Sequence, residues 1–133
     1  MTKILVVDDD LALVKALRIG LTARGDDVIT ANSGADAIEQ VALLNPDLVI
    51  LDLGLPDLDG LEVCRRIRDF SSIPVVVLSA YGDERRKVEV LDGGADDFIT
   101  KPFGMAELEA RLRVAVRHAA TRTSKGSEPS ATI

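Results

Sequence analysis

The chain has 133 residues, 22 acidic against 16 basic side chains for a formal charge of −6, and 47% hydrophobic content with 3% aromatic residues and no Trp. Such a length suits one domain with a single core and a short tail, and the acidic balance argues against direct nucleic-acid binding, which needs clustered cations. A lone cysteine excludes an internal disulfide, no apolar run approaches the roughly 20 residues of a membrane span, and Met1-Thr2-Lys3 leads into a strand rather than a signal peptide, so a cytoplasmic domain is expected.

Strand and helix patterns alternate five times along the chain. Ile4 to Val7 reads as strand 1, and Leu11, Val14, Leu17 and Leu21 form the inner stripe of helix 1, which Gly25 ends. Strand 2 is Val28 to Ala31. Ser33 is placed to cap helix 2, whose stripe of Ala37, Ile38, Val41 and Leu44 stops at Asn45-Pro46. Leu48 to Leu51 shows no polar alternation, as a central parallel strand buried on both faces requires.

Gly54, Pro56, Asp57, Asp59 and Gly60 form a loop into helix 3, with Leu61, Cys64 and Ile67 inward. Ile73-Pro74 introduces strand 4, Val75 to Leu78. Helix 4 is short, about Glu84 to Leu91, with Val88 and Leu91 inward and Arg85, Arg86, Lys87 and Glu89 in water; Gly93-Gly94 ends it. Strand 5 covers Asp97 to Thr100, and helix 5 begins near Met105 with Leu108, Leu112, Ala115 and Val116 inward. From Ala120 onward Thr, Ser, Lys, Gly, Glu and Pro carry no apolar period, so residues 120–133 read as a flexible linker following a domain of residues 1–119.

Parallel strands joined by right-handed helical crossovers give an α/β fold: a three-layer, doubly wound, five-stranded parallel sheet. The flavodoxin-like order 2-1-3-4-5 is expected because it brings strands 1 and 3 together at the switch point. In that arrangement Asp8, Asp9, Asp52, Ser79 and Lys101 all lie at the same edge, each at or just beyond a strand end. Three packed carboxylates repel one another unless a cation intervenes, and open oxygen donors suit Mg2+ better than a closed calcium cage. A carboxylate can attack phosphorus to form an acyl phosphate. Asp52, alone at the end of the central strand, is the expected nucleophile, with the Ser79 hydroxyl and the Lys101 ammonium beside the transferring group.

Other residues have plainer readings. Asp10 reads as a helix N-terminal residue, Cys64 as a small buried hydrophobe, His118 as a surface residue near a helix C-terminus, and Arg65, Arg66 and Arg68 as a solvated face.

Val7-Asp8-Asp9-Asp10, Leu51-Asp52, Leu78-Ser79-Ala80 and Thr100-Lys101-Pro102-Phe103 follow the order and spacing of response-regulator receiver domains, the phospho-acceptors of two-component systems, and the resemblance runs from about Lys3 to Arg117. Gly94-Ala95-Asp96-Asp97-Phe98-Ile99-Thr100-Lys101-Pro102-Phe103 resembles the OmpR/PhoB type of winged-helix transcription factor. Leu53-Gly54-Leu55-Pro56-Asp57 together with Lys101-Pro102-Phe103-Gly104-Met105 is most similar to the KdpE branch, which controls potassium uptake.

The resemblance implies Asp52 as the phosphorylated aspartate, Asp9 as direct and Asp8 as water-mediated Mg2+ ligand, and the Gly54 carbonyl as a further ligand. It implies Ser79 and Phe98 as the switch pair, Lys101 as partner of the phosphoryl group, a cis Lys101-Pro102 bond, and Gly54 and Tyr81 as site-flanking positions; from its place there, Tyr81 is expected to shield the acyl phosphate partly from water. A sensor histidine kinase would donate the group. A two-fold dimer through helix 4, strand 5 and helix 5 would follow, pairing Lys87 with Glu107, Asp97 with Arg111 and Asp96 with Arg113. DNA would be bound only by a C-terminal domain beyond the linker.

The implied role is regulatory rather than enzymatic, with phosphorylation and dephosphorylation self-catalysed. A stand-alone receiver acting by protein binding is the alternative. An aspartyl-phosphate hydrolase fits less well, because Leu53-Gly54 after Asp52 supplies no second acid. A nucleotide-binding domain lacks its glycine or Walker pattern after strand 1.

Overall fold

A computed structural model describes residues 2–80 and 82–127, with side-chain surroundings as far as residue 122. Its elements run β1 (Lys3–Val7), α1 (Leu11–Ala23), β2 (Asp27–Ala31), α2 (Gly34–Leu44), β3 (Leu48–Asp52), α3 (Gly60–Arg68), β4 (Val75–Ser79), α4 (Glu84–Asp92), β5 (Asp97–Thr100) and α5 (Met105–Ser127). All strand pairs are parallel, in the order β2-β1-β3-β4-β5.

Strand alternation divides the core into two layers. Leu5, Val7, Val49, Leu51, Val75 and Val77 face α2, α3 and α4, meeting Ala37, Val41, Val63, Cys64, Ile67 and Val90. Ile4, Val6, Leu48, Ile50, Val76, Leu78 and Ile99 face α1 and α5, meeting Leu17, Leu21, Leu108, Leu112 and Ala115. Chain reversals follow local chemistry. Asp10 caps α1 by accepting from the backbone N–H groups of Ala12 and Leu13, and Ser33 caps α2 by accepting from that of Asp36. Asn45 closes α2 in the left-handed region at φ 45°, a conformation asparagine tolerates better than most residues. Gly94, at φ 115°, follows α4, where a Cβ would also meet Arg68.

Several expected inner positions face water. Leu11, Leu44, Val88, Leu91 and Val116 are exposed. In α4 the inward stripe is Lys87 and Val90, not Val88 and Leu91: Val90 is fully buried and the Lys87 side chain is only 12% exposed. A nine-residue helix with two candidate stripes cannot reveal its inner face by spacing alone, and here the long stem of Lys87 packs inward as an apolar rod.

Helical structure also continues past Ala119, into the segment read as linker. Helix α5 continues to Ser127, and Arg122 is tied to Asp96 and to the Ser72 carbonyl. Polar anchoring of this kind leaves no apolar period to read. Residues 128–133 of the expected linker lie outside the described residues.

Candidate functional site

Strand register assembles the acidic edge. Val7 is level with Leu51, so Asp8 follows β1 beside Asp52 at the end of β3; Ser79 ends β4 level with Thr100, and Lys101 comes next. The Lys101 backbone N–H donates to the Ser79 carbonyl at 2.8 Å, and the bond to Pro102 is cis. The Lys101 ammonium lies 3.0 Å from Asp52 Oδ1 and 3.1 Å from Asp8 Oδ2. Asp8 is buried and its other oxygen accepts from the Asp10 backbone N–H at 2.9 Å, while Asp9 is exposed.

One carboxylate oxygen from each of Asp8, Asp9 and Asp52 lies within 4.8 Å of the others. Burial, with repulsion from Asp52, pushes the Asp8 carboxyl above its ordinary 3.8, against the hydrogen bonds from Asp10 and Lys101. Burial opposes the charge on Lys101, yet its hydrogen bonds and attraction to Asp52 and Asp8 hold its pKa above the ordinary 10.5. Ser79 Oγ is buried with no hydrogen-bond partner among the described residues. A buried hydroxyl is rarely left so. The donors therefore suit a hard divalent cation together with an oxygen-rich ligand.

The mouth is a cleft of about 420 Å³ lined by Asp52, Leu53, Gly54, Ala80, Asp83, Arg86 and Lys101. Gly54 is exposed there, and a Cβ at this position would sit 3.5 Å from Asp52 Oδ2. Tyr81 lies outside the described residues. Phe98 is half-buried against the α4 side of the core, with the Lys87 ammonium 4.9 Å and the Arg111 guanidinium 5.8 Å from its ring centre.

The six charges expected at a dimer face separate into two groups. Lys87 pairs with Glu84, and Arg111 lies 3.5 Å from Asp97 of its own chain; Glu107 and Arg113 are exposed. Asp96 does not belong with them. Its side chain is fully buried and accepts from the Val75 backbone N–H and Arg68, both at 2.8 Å, and from Arg122, with His118 Nδ1 at 2.6 Å. Its charge is already matched inside the chain, and Arg113 is not among its partners there. The same cluster takes Arg68 off the expected solvated face.

Two further contacts escape sequence reading because their partners are more than 20 residues apart. Asp57 accepts from the backbone N–H groups of Gly34 and Ala35, holding the β3–α3 loop against the N-terminus of α2. Those bonds hold its carboxyl below the ordinary 3.8. Asp59 caps α3 through the Leu61 N–H and grips the Arg86 guanidinium with both oxygens, which likewise lowers its pKa.

A parallel sheet in this order, with acids clustered where β1 meets β3 and Lys101 reaching them from the end of β5, makes a doubly wound α/β domain with its site at the topological switch point. The chain belongs to the response regulator receiver domain family, whose sequence model matches residues 4–113. It is 56% identical over 117 residues to the transcriptional regulatory protein KdpE of Mycobacterium tuberculosis, covering 88% of this chain and 52% of that protein. It is 49% identical over 122 residues to the KDP operon transcriptional regulatory protein KdpE of Escherichia coli, covering 91% and 54%. The response regulator MprA of Mycobacterium leprae matches at 46% over 116 residues, covering 86% and 51%. The chain thus spans about half the length of the relatives it matches.

Among solved structures, the BeF3-activated N-terminal receiver domain of Klebsiella pneumoniae RstA superposes with TM-score 0.81 at 36% identity, covering 86% of this chain and 98% of that one. A two-component response regulator from Clostridium difficile gives 0.83 at 28%, covering 88% and 97%. The receiver is a regulatory module, and no described helix is long and apolar enough to cross a membrane.

Proposed function

We propose that this chain is the receiver half of a transcriptional response regulator in which Asp52 accepts a phosphoryl group from a sensor histidine kinase. The observation that carries this is the Lys101 ammonium bridging Asp52 and Asp8 beside the buried Ser79 hydroxyl, which has no partner among the described residues. An Asp52 carboxylate oxygen attacks phosphorus as the bond to the donor breaks. Lys101 then turns from the carboxylate to the new phosphoryl oxygens, and Ser79 Oγ donates to another. The chain supplies these groups itself, so phosphorylation and later hydrolysis are self-catalysed.

Asp8, Asp9, Asp52 and the Gly54 carbonyl would hold Mg2+, which when bound neutralises the acids and the phosphoryl oxygens. Engagement of Ser79 biases Phe98 and the α4–β5–α5 face toward a two-fold dimer, in which Lys87 meets Glu107 and Asp97 meets Arg111 of the second copy. Exposed pairs contribute about 0–1 kcal/mol each, so they set orientation more than affinity.

DNA binding belongs to a C-terminal winged-helix domain beyond residue 119, in the half of the relatives' length this chain does not span. The KdpE names of its relatives support control of potassium transport; on this reading the chain works in the cytoplasm. The test is intact mass after incubation with acetyl phosphate, with and without Mg2+. A Mg2+-dependent phosphoryl adduct, absent in Asp52→Asn, is expected; no adduct on the folded wild-type chain would refute the reading.

A further inference from the structure

Besides Lys101, the cleft above Asp52 is lined by a second cation that the phosphoryl chemistry has not used. Arg86 lies in the first turn of α4 and shares that lining with Asp52, Gly54 and Lys101. Asp59, itself fixed as the cap of α3, holds the guanidinium by two N–H groups, and Glu89 stands 3.7 Å away. A guanidinium has five N–H donors in a rigid fork, so a two-oxygen grip orients Arg86 and leaves donors to present. Its side chain is 27% exposed and that of Asp59 48%, so the pair is open to an incoming anion.

We propose that Arg86 is the leaving-group receptor of the site and gives the receiver a preference for small phosphodonors that depart as anions. The inference rests on the phospho-acceptor reading above. With an acyl phosphate as donor, an Asp52 oxygen forms the new O–P bond while the bridging P–O bond breaks. The electron pair leaves with the carboxylate, which needs no proton at neutral pH. In-line displacement sends that group away from Asp52, toward the mouth of the cleft, where a cation stabilises its developing charge. Phosphoramidate, protonated on nitrogen, departs as neutral ammonia and gains nothing from a cation there. Lys101, bonded to both Asp8 and Asp52, is committed to the acceptor side.

The experiment compares initial rates of adduct formation by intact mass on the 133-residue chain, with Mg2+ present, for acetyl phosphate and phosphoramidate. Wild type, Arg86→Gln, Arg86→Lys and Asp59→Asn are compared. Arg86→Gln is expected to slow acetyl phosphate about tenfold, less than removing a donor from a closed oxyanion hole because this mouth is open to water. Phosphoramidate should stay within about twofold of wild type, and Arg86→Lys should recover part of the loss because charge rather than fork geometry is required. Parallel loss with both donors, shared by Asp59→Asn, would show that Arg86 only holds α4 against α3 and overturns the proposal, as does no loss with either. A wild-type chain that takes phosphate from neither donor overturns the acceptor reading itself, and this inference with it.

Discussion

Removing the Asp96 carboxylate is expected to be the most damaging single change outside the apolar core. Its two oxygens accept from the Val75 backbone N–H and from Arg68 and Arg122, with His118 alongside, and the side chain has no solvent exposure. Asp96→Ala leaves the Val75 N–H at the start of β4 without its acceptor, which costs about 1–3 kcal/mol. It also leaves Arg68, whose side chain is 15% exposed, facing the like charge of Arg122. Losing one partner of a buried pair typically costs about 3–5 kcal/mol in all. For a domain of this size that lowers Tm by about 10–20 °C. Urea and thermal unfolding followed by circular dichroism measure it, with Glu62→Ala as comparison: its exposed pair with Arg66, one turn along α3, is worth about 0.5 kcal/mol or less. Asp96→Asn keeps an acceptor for Val75 and should fall between. A loss below about 1 kcal/mol for Asp96→Ala, the size of an exposed bridge, would refute the reasoning.

Three further outcomes follow from the site and its surroundings. Because the folded pKa of Asp8 is raised, its ionisation opposes folding: stability falls as pH rises from 3.8 through the folded value and stays lower above it. Asp8→Asn should therefore raise the urea midpoint in metal-free buffer at pH 7 and reduce the further gain on adding Mg2+; a lowered midpoint would contradict this. Asp57 and Asp59 have the opposite sign, with folded values below 3.8, so their contribution is complete above that pH and lost as pH falls through the folded values. Double substitution to Asn should flatten the stability curve below about pH 4, as acid titration at fixed urea would reveal. Burial pushes the Cys64 thiol above 9.0, so a thiol reagent at pH 8 should modify it only on unfolding; prompt reaction of the folded chain would show the pocket is open.

The strands and the acidic edge were legible because they depend on contiguous residues. An unbroken apolar run such as Leu48 to Leu51 specifies a buried parallel strand, and topology then brings Asp8, Asp52, Ser79 and Lys101 to one edge. Helix stripes were legible in the middle of the longer helices, although Leu11, Leu44 and Val116 face water, and failed in α4, where Lys87 rather than Val88 packs inward. Asp96 shows why charge is harder to read than hydrophobicity. Its neighbour Asp97 has the same chemistry, yet only the fold reveals that Asp96 turns toward Arg68 and Arg122, 28 and 26 positions away, while Asp97 turns toward Arg111. The α5 extension was missed for the same reason, since Arg122 holds it by an ion pair rather than by an apolar stripe.

These contacts also determine which part of the switch face can respond. Helix α5 is fixed along its length by Leu108, Leu112, Ala115 and Ala119 and beyond them by the Arg122–Asp96 pair. Helix α4 buries only Val90, leans on the half-buried Phe98 through Lys87 and is tied to Asp59 through the partly exposed Arg86. β5 is the edge strand, so Phe98 has no strand beyond it, and its neighbours Thr100 and Lys101 contact Ser79 by register and by a backbone hydrogen bond. Ser79 and Lys101 at the acidic edge are therefore connected to Phe98 through a single strand. In the proposed switch, the lightly packed helix above it is the element expected to yield, while the other side of the face is anchored by the buried charge cluster. On that proposal a receiver built this way can rearrange α4 against a fixed α5, because the buried charge cluster lies away from α4, whose own tie to Asp59 is partly exposed.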